Sequence, residues 1–155
     1  MYSSIPMSGI WMPAFPSPRN VSEIVDVLGE MGVGVVMGQV GDLEGGWKKG
    51  VGKGDVEFVY RHKTADLFVA AARAGALAGG GGAADAARLG DFALNLGLAF
   101  QYEDDLLDGD GAYPADETRR LAEEATAAAL AALDGLPGDA SFLRDLARSL
   151  VGRTV

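Results

Sequence analysis

Apolar residues of the 155-residue chain recur at helical spacing, and no stretch alternates with period two for long. Asn20 or Ser22 can cap a first helix in which Ile24, Val27, Leu28 and Met31 share the apolar side. The helix is predicted to continue through Gly32, Gly34 and Gly38 to about Leu43. A helical glycine costs roughly 1 kcal/mol relative to alanine, so these three predict close backbone packing or room left for a ligand. Gly45 and Gly46 end the helix, and Trp47 to Gly54 read as a loop. A second helix is expected from about Asp55 to Ala78, with Phe58, Leu67, Phe68, Ala71 and Ala72 on its apolar side. The run Gly79 to Gly82 breaks it. A third spans about Ala83 to Asp108, with Leu89, Phe92, Ala93, Leu96, Ala99 and Phe100 in phase. After Gly109-Asp110-Gly111, Pro114 opens a fourth helix over about 115–134, and Asp139 to Val151 form a short last one. The chain is therefore predicted all-α, with about five helices.

Residues 1–20 break this pattern. Pro6, Pro13, Pro16 and Pro18 exclude a regular helix, while Ile10, Trp11 and Phe15 suggest packing against something. The chain thus divides into a Pro-rich N-terminal segment, 1–20, and a helical domain, 21–155.

Composition narrows the chemistry. A formal charge of −9 argues against nucleic acid and against anionic lipid as partners, since both call for a basic surface. It leaves room for a diphosphate, because a bound divalent cation reverses the local sign of charge. With no cysteine and the single histidine His62, disulfides, thiolate sites and multi-histidine zinc sites are excluded. No uninterrupted apolar run reaches roughly 18 residues, so no transmembrane segment is expected. The N-terminus does not read as a signal peptide, and a cytoplasmic protein is the default expectation.

The most distinctive stretch is Gln101-Tyr-Glu-Asp-Asp-Leu-Leu-Asp108. On a helix Asp104 and Asp108 lie one turn apart, Gln101 lies one turn earlier, Asp105 flanks them and Glu103 points further round. Like charges one turn apart destabilise a helix, and a cation relieves that repulsion. Oxygen ligands alone suit Mg²⁺ or Mn²⁺ over zinc. A solvated acidic helix end fits the same residues. The apolar lead-in Leu96, Leu98, Ala99 and Phe100 favours carboxylates that line a cavity.

Lys63 and Thr64 could give a phosphate group a point charge and a hydrogen bond, although alone the pair reads more readily as surface. His62 reads as packed or surface rather than as a catalytic base. Gln39, with Asp42 one turn on, adds a polar patch to the glycine-rich helix that also fits a packing network.

Taken in order, Gly38-Gln39-x-x-Asp42-Leu43, Tyr60-Arg61-His62-Lys63-Thr64-Ala65-x-Leu67-Phe68 and Gly97-Leu98-Ala99-Phe100-Gln101-x-x-Asp104-Asp105-x-x-Asp108 resemble the C-terminal half of trans-type polyprenyl diphosphate synthases. The resemblance implies an isoprenoid-synthase-type helical bundle and Mg²⁺-dependent prenyl transfer from an allylic diphosphate to isopentenyl diphosphate. It implies Asp104, Asp105 and Asp108 as metal ligands. It also implies Lys63, Thr64 and Gln39 at the substrate diphosphate, and Lys63, Thr64 and Gln101 as the catalytic set, with Gln101 and Gln39 facing the reacting chain. A homodimer, or a heteromer with a synthase, is the expected assembly.

Two features depart from the family pattern. No aspartate-rich cluster precedes Gln39, and Arg19 is the sole basic residue before Lys48, so the first carboxylate wall and the isopentenyl diphosphate site are missing. Asp108 is also joined to Pro114 by a short turn without lysine. An alternative function follows: a non-catalytic regulatory or partner subunit of a full-length synthase.

Overall fold

The computed structural model describes residues 18–44, 52–109 and 111–150. The readings placed on residues 1–17, on the Gly45 to Val51 part of the first loop, on Asp110 and on Val151 lie outside the described residues. The remainder is helical: α1 (Pro18–Glu44), α2 (Lys53–Val59), a π-helical turn (Tyr60–Ala65), α3 (Asp66–Ala78), α4 (Ala83–Asp108), α5 (Ala115–Ala132) and α6 (Ser141–Leu150). Helix α2, the π turn and α3 run on without a break, so five rods result, as the periodicity predicts. Among the described residues there is no strand.

Helix α1 starts earlier than expected, inside the segment whose prolines argue against a helix. Pro18 stands at the first helical position, where a missing N–H costs nothing and φ is already helical. Asn20 does not cap α1. Its Nδ2 donates at 2.8 Å to the Leu77 carbonyl near the end of α3, which also accepts from the Gly80 N–H at 3.1 Å. At α2 and α4 the acid three residues in reaches back instead: Asp55 accepts from the Gly52 N–H at 3.1 Å and Asp85 from the Gly82 N–H at 3.3 Å. Gly109, at φ 71°, takes the left-handed conformation that ends α4.

Helix α4 is the central rod. One side packs Ala99 and Tyr102 with Val56, Tyr60, Ala122 and Ala125; another packs Phe92, Ala93 and Leu96 with Ala129, Leu133 and Ala147. The face predicted for the second rod needs correction. Phe58, Leu67 and Ala71 are exposed, while Val56, Val59, Tyr60, Ala65, Ala70 and Leu77 are buried. The π turn is the reason: it inserts an extra residue and rotates the apolar phase between α2 and α3.

The π turn is held between two glycines. A Cβ on Gly38 of α1 would lie 2.3 Å from the Lys63 nitrogen, and one on Gly97 of α4 would lie 2.7 Å from the Ala65 Cα. At Gly34 it would meet Asp66. Two of the three glycines noted in α1, Gly34 and Gly38, are thus there for close approach, while Gly32 has open space around it.

Helix α1 leaves most of its apolar residues uncovered, with Val25, Val33 and Val36 each more than 60% exposed and Leu43 75% exposed. By length and composition alone, Arg19–Glu44 meets the criterion for a membrane-crossing helix, although its apolar residues form no uninterrupted run. Its polar side chains nevertheless tie it into the bundle, through Asn20 to Leu77, Glu30 to Arg73 and Asp42 to Lys63.

Candidate functional site

The π turn brings the Lys-Thr pair and the aspartate-rich helix together. Thr64 Oγ1 donates to Gln101 Oε1 at 2.9 Å, across 37 residues of sequence. Gln101 Nε2 donates to Asp105 Oδ1 at 3.2 Å, and the Tyr60 hydroxyl donates to the other oxygen of the same carboxylate. A carboxylate only accepts, so Asp105 fixes which way round the Gln101 amide sits and points its oxygen at Thr64. Lys63 faces the other way, with its Nζ 2.6 Å from Asp42 Oδ2 on α1. Gln39, one turn before Asp42, is exposed.

The aspartates divide by burial. Asp105 is 9% exposed, Asp104 is half-buried and Asp108 is exposed. Gln101 shares its side of α4 with Asp105, four residues on, rather than with the Asp104–Asp108 pair. Glu103, expected to point further round, is buried at 5% exposure. The turn after α4 closes over Asp105: a Cβ on Gly111 would lie 2.7 Å from the Asp105 Cβ, and the Ala112 main chain hydrogen-bonds to Tyr60.

Among the described residues no three Asp, Glu or His side chains gather as a ready metal-ligand set. Mg²⁺ does not require one, since it commonly takes one or two carboxylates and completes its shell with water and phosphate. Asp104 and Asp108, one turn apart and not deeply buried, fit that demand. Asp105, with both oxygens already bonded, fits it less well.

Two pairings escape a reading of the sequence. Tyr60 is the buried donor to Asp105, and Asp42 is the partner of Lys63. Only the apolar setting of Tyr60 hints at the first, and nothing local pairs positions 60 and 105. His62 is a packed residue, as expected, its Nδ1 2.7 Å from Asp66 and its ring 4.4 Å from that of Phe58.

Burial is the main cause that pushes the Tyr60 hydroxyl far above the usual phenol range, with the Asp105 hydrogen bond adding to it. Burial likewise pushes Tyr102 up to about 12. Because folding raises both values, their contribution to stability is complete below the unfolded phenol pKa of about 10 and fades as the pH rises above it. Chemical denaturation between pH 9 and 12 should show stability falling from about pH 10, less steeply in Tyr60→Phe. Identical slopes would contradict the assignment.

Comparison with known proteins bears on the family and the fold. The farnesyl diphosphate synthase of Geobacillus stearothermophilus is 44% identical over 79 residues, which is 51% of this chain and 26% of that one. The heterodimeric geranylgeranyl pyrophosphate synthase large subunit 1, chloroplastic, of Arabidopsis thaliana is 44% identical over 92 residues, 58% of this chain and 24% of that one. The solved FPP/GFPP synthase of Zymomonas mobilis superposes with a TM-score of 0.75 at 29% identity, covering 87% of this chain and 52% of that one. The geranylgeranyl pyrophosphate synthetase of Pyrococcus horikoshii shares the fold, with a TM-score of 0.81 at 21% identity over 90% of this chain and 61% of that one. The chain thus spans about a quarter of the length of the curated relatives it matches and just over half of the solved ones. The family profile described as polyprenyl synthetase matches residues 7–122, and the chain belongs to that family.

Proposed function

We propose that the protein binds an allylic diphosphate with Mg²⁺, or Mn²⁺, and takes part in its Mg²⁺-dependent condensation with isopentenyl diphosphate. The observation that carries this reading is the direct Thr64–Gln101–Asp105 contact, which joins the Lys-Thr and aspartate-rich stretches into one polar wall. In this reading Asp104 and Asp108 present the carboxylates to the metal, with Asp105 beside them. Bound there, the ion would stabilise charge growing on the departing diphosphate. Lys63 adds a positive charge to the same end once phosphate oxygens compete with Asp42 for its ammonium. Thr64 turns its hydroxyl from Gln101 to a phosphate oxygen. Gln101 and the exposed Gln39 face the prenyl chain.

The aspartate-rich stretch of α4 builds one carboxylate wall, and full turnover calls for a second wall that faces it. Labelled prenyl product is expected from isopentenyl diphosphate and an allylic diphosphate when the chain is mixed with a polypeptide carrying that wall. Product in the presence of EDTA, or undiminished with Lys63→Ala, would contradict the reading.

A second reading, a partner subunit of a full-length synthase, would draw on the uncovered apolar face of α1. It expects the chain to self-associate, or to co-elute with a synthase, on size exclusion at micromolar concentration, and Val25→Glu/Val36→Glu to end that association. A strict monomer that ignores every synthase would refute it.

A further inference from the structure

The three aspartates of the cluster are not equivalent. Asp108 is exposed and Asp104 half-buried, whereas Asp105 turns inward onto Tyr60, a residue only 1% exposed. One Asp105 oxygen accepts from the Tyr60 hydroxyl and the other from the Gln101 amide. Gly111 closes against the same carboxylate from the turn that follows α4. A buried carboxylate needs such donors, and removing one leaves an unsatisfied charge in a low-dielectric setting.

We propose that Asp105 is a positioning residue and not a metal ligand: clamped by Tyr60, it orients Gln101, and through Gln101 the Thr64 hydroxyl, while the metal is left to Asp104 and Asp108. This rests on the diphosphate reading of the site. Three consequences follow. The orientation of the Gln101 amide is set by the carboxylate, because only the NH₂ end can face it. The π turn is locked to α4 at both of its polar ends, by Tyr60 through Asp105 and by Thr64 through Gln101. The aspartate-rich helix is also fastened to the short turn after it, since Gly111 and Ala112 contact the same Asp105–Tyr60 pair.

The test separates metal binding from positioning. Pyrophosphate binding by the full chain is titrated calorimetrically over a range of Mg²⁺ concentrations in wild type, Tyr60→Phe, Asp105→Asn and Asp104→Asn. Tyr60→Phe and Asp105→Asn are each expected to weaken pyrophosphate binding at saturating Mg²⁺ by about tenfold, the value of one charge-assisted hydrogen bond. Both should leave the Mg²⁺ midpoint within about twofold of wild type, while Asp104→Asn moves it by about tenfold or more. An Asp105→Asn midpoint displaced as far as that of Asp104→Asn would overturn the proposal. So would unchanged pyrophosphate affinity in Tyr60→Phe.

A metal-free measurement keeps the two ideas distinguishable. In chemical denaturation the Tyr60→Phe and Asp105→Asn changes should be non-additive, with a coupling of about tenfold in the unfolding constant. The Gln101 side-chain NH₂ resonances should move in both variants. If wild type binds no pyrophosphate yet both signals are present, the diphosphate reading fails and the clamp stands. If the coupling is absent and the Gln101 resonances do not move, the clamp itself is refuted.

Discussion

Replacing Gly38 by alanine should lower the unfolding free energy by about 1–3 kcal/mol, against a helix-propensity gain of about 1 kcal/mol that would otherwise stabilise it. The reason is contact with backbone. The added Cβ would lie 2.3 Å from the Lys63 nitrogen, 2.7 Å from the His62 carbonyl carbon and 2.8 Å from the Lys63 Cα. None of these is a flexible side-chain end that can swing aside, so α1 must move away from the π turn. That movement also pulls Asp42 from Lys63, which it holds at 2.6 Å. Gly29 and Gly32 on the same helix provide the control, since a Cβ at either meets nothing within 4 Å. Alanine there should stabilise by up to about 1 kcal/mol. Denaturant melts of the three variants decide the matter, and a Gly38→Ala protein as stable as wild type would mean the helices are not packed this closely.

The second large effect concerns diphosphate binding. Lys63→Ala should weaken Mg²⁺-dependent pyrophosphate binding by about 10- to 100-fold, because on the proposed reading it removes the cation that meets the phosphate charge beside the metal. It also leaves Asp42, 14% exposed at its side chain, without its ammonium partner, so that an uncompensated carboxylate would repel a phosphate brought to that position. The double change Lys63→Ala/Asp42→Ala removes that repulsion and should recover part of the loss. If Lys63→Ala alone bound pyrophosphate as well as wild type, Lys63 would be no more than the surface half of an ion pair.

Much of this architecture is legible in the amino-acid pattern. Helix α4 occupies the residues its periodicity predicts, because its apolar phase runs unbroken from Leu89 to Phe100 and glycines punctuate both ends. The extent of the second rod is legible in the same way, but its buried face is not. Periodicity assumes 3.6 residues per turn throughout, and the π turn at Tyr60–Ala65 violates that in the middle of the rod. Nothing in Tyr-Arg-His-Lys-Thr-Ala announces a π turn by composition. It arises from tertiary packing, where Gly38 and Gly97 allow two backbones to approach from opposite sides.

The candidate site is similarly half legible. Spacing singles out the aspartates, the family resemblance adds Lys63, Thr64 and Gln101, and Thr64, Gln101 and Asp105 prove to be in contact. The inward turn of Asp105 is not predictable from spacing, because it depends on Tyr60, 45 residues earlier. The same holds for Asp42, whose role follows only from the crossing of α1 over the π turn.

The central claim is that this polar wall holds a diphosphate through Mg²⁺. Calorimetric titration of the wild-type chain with pyrophosphate, with and without Mg²⁺, tests it most directly. The account predicts saturable binding that requires the metal and is abolished in Asp104→Ala. Absence of metal-dependent binding, or binding that survives unchanged in Asp104→Ala, would contradict it.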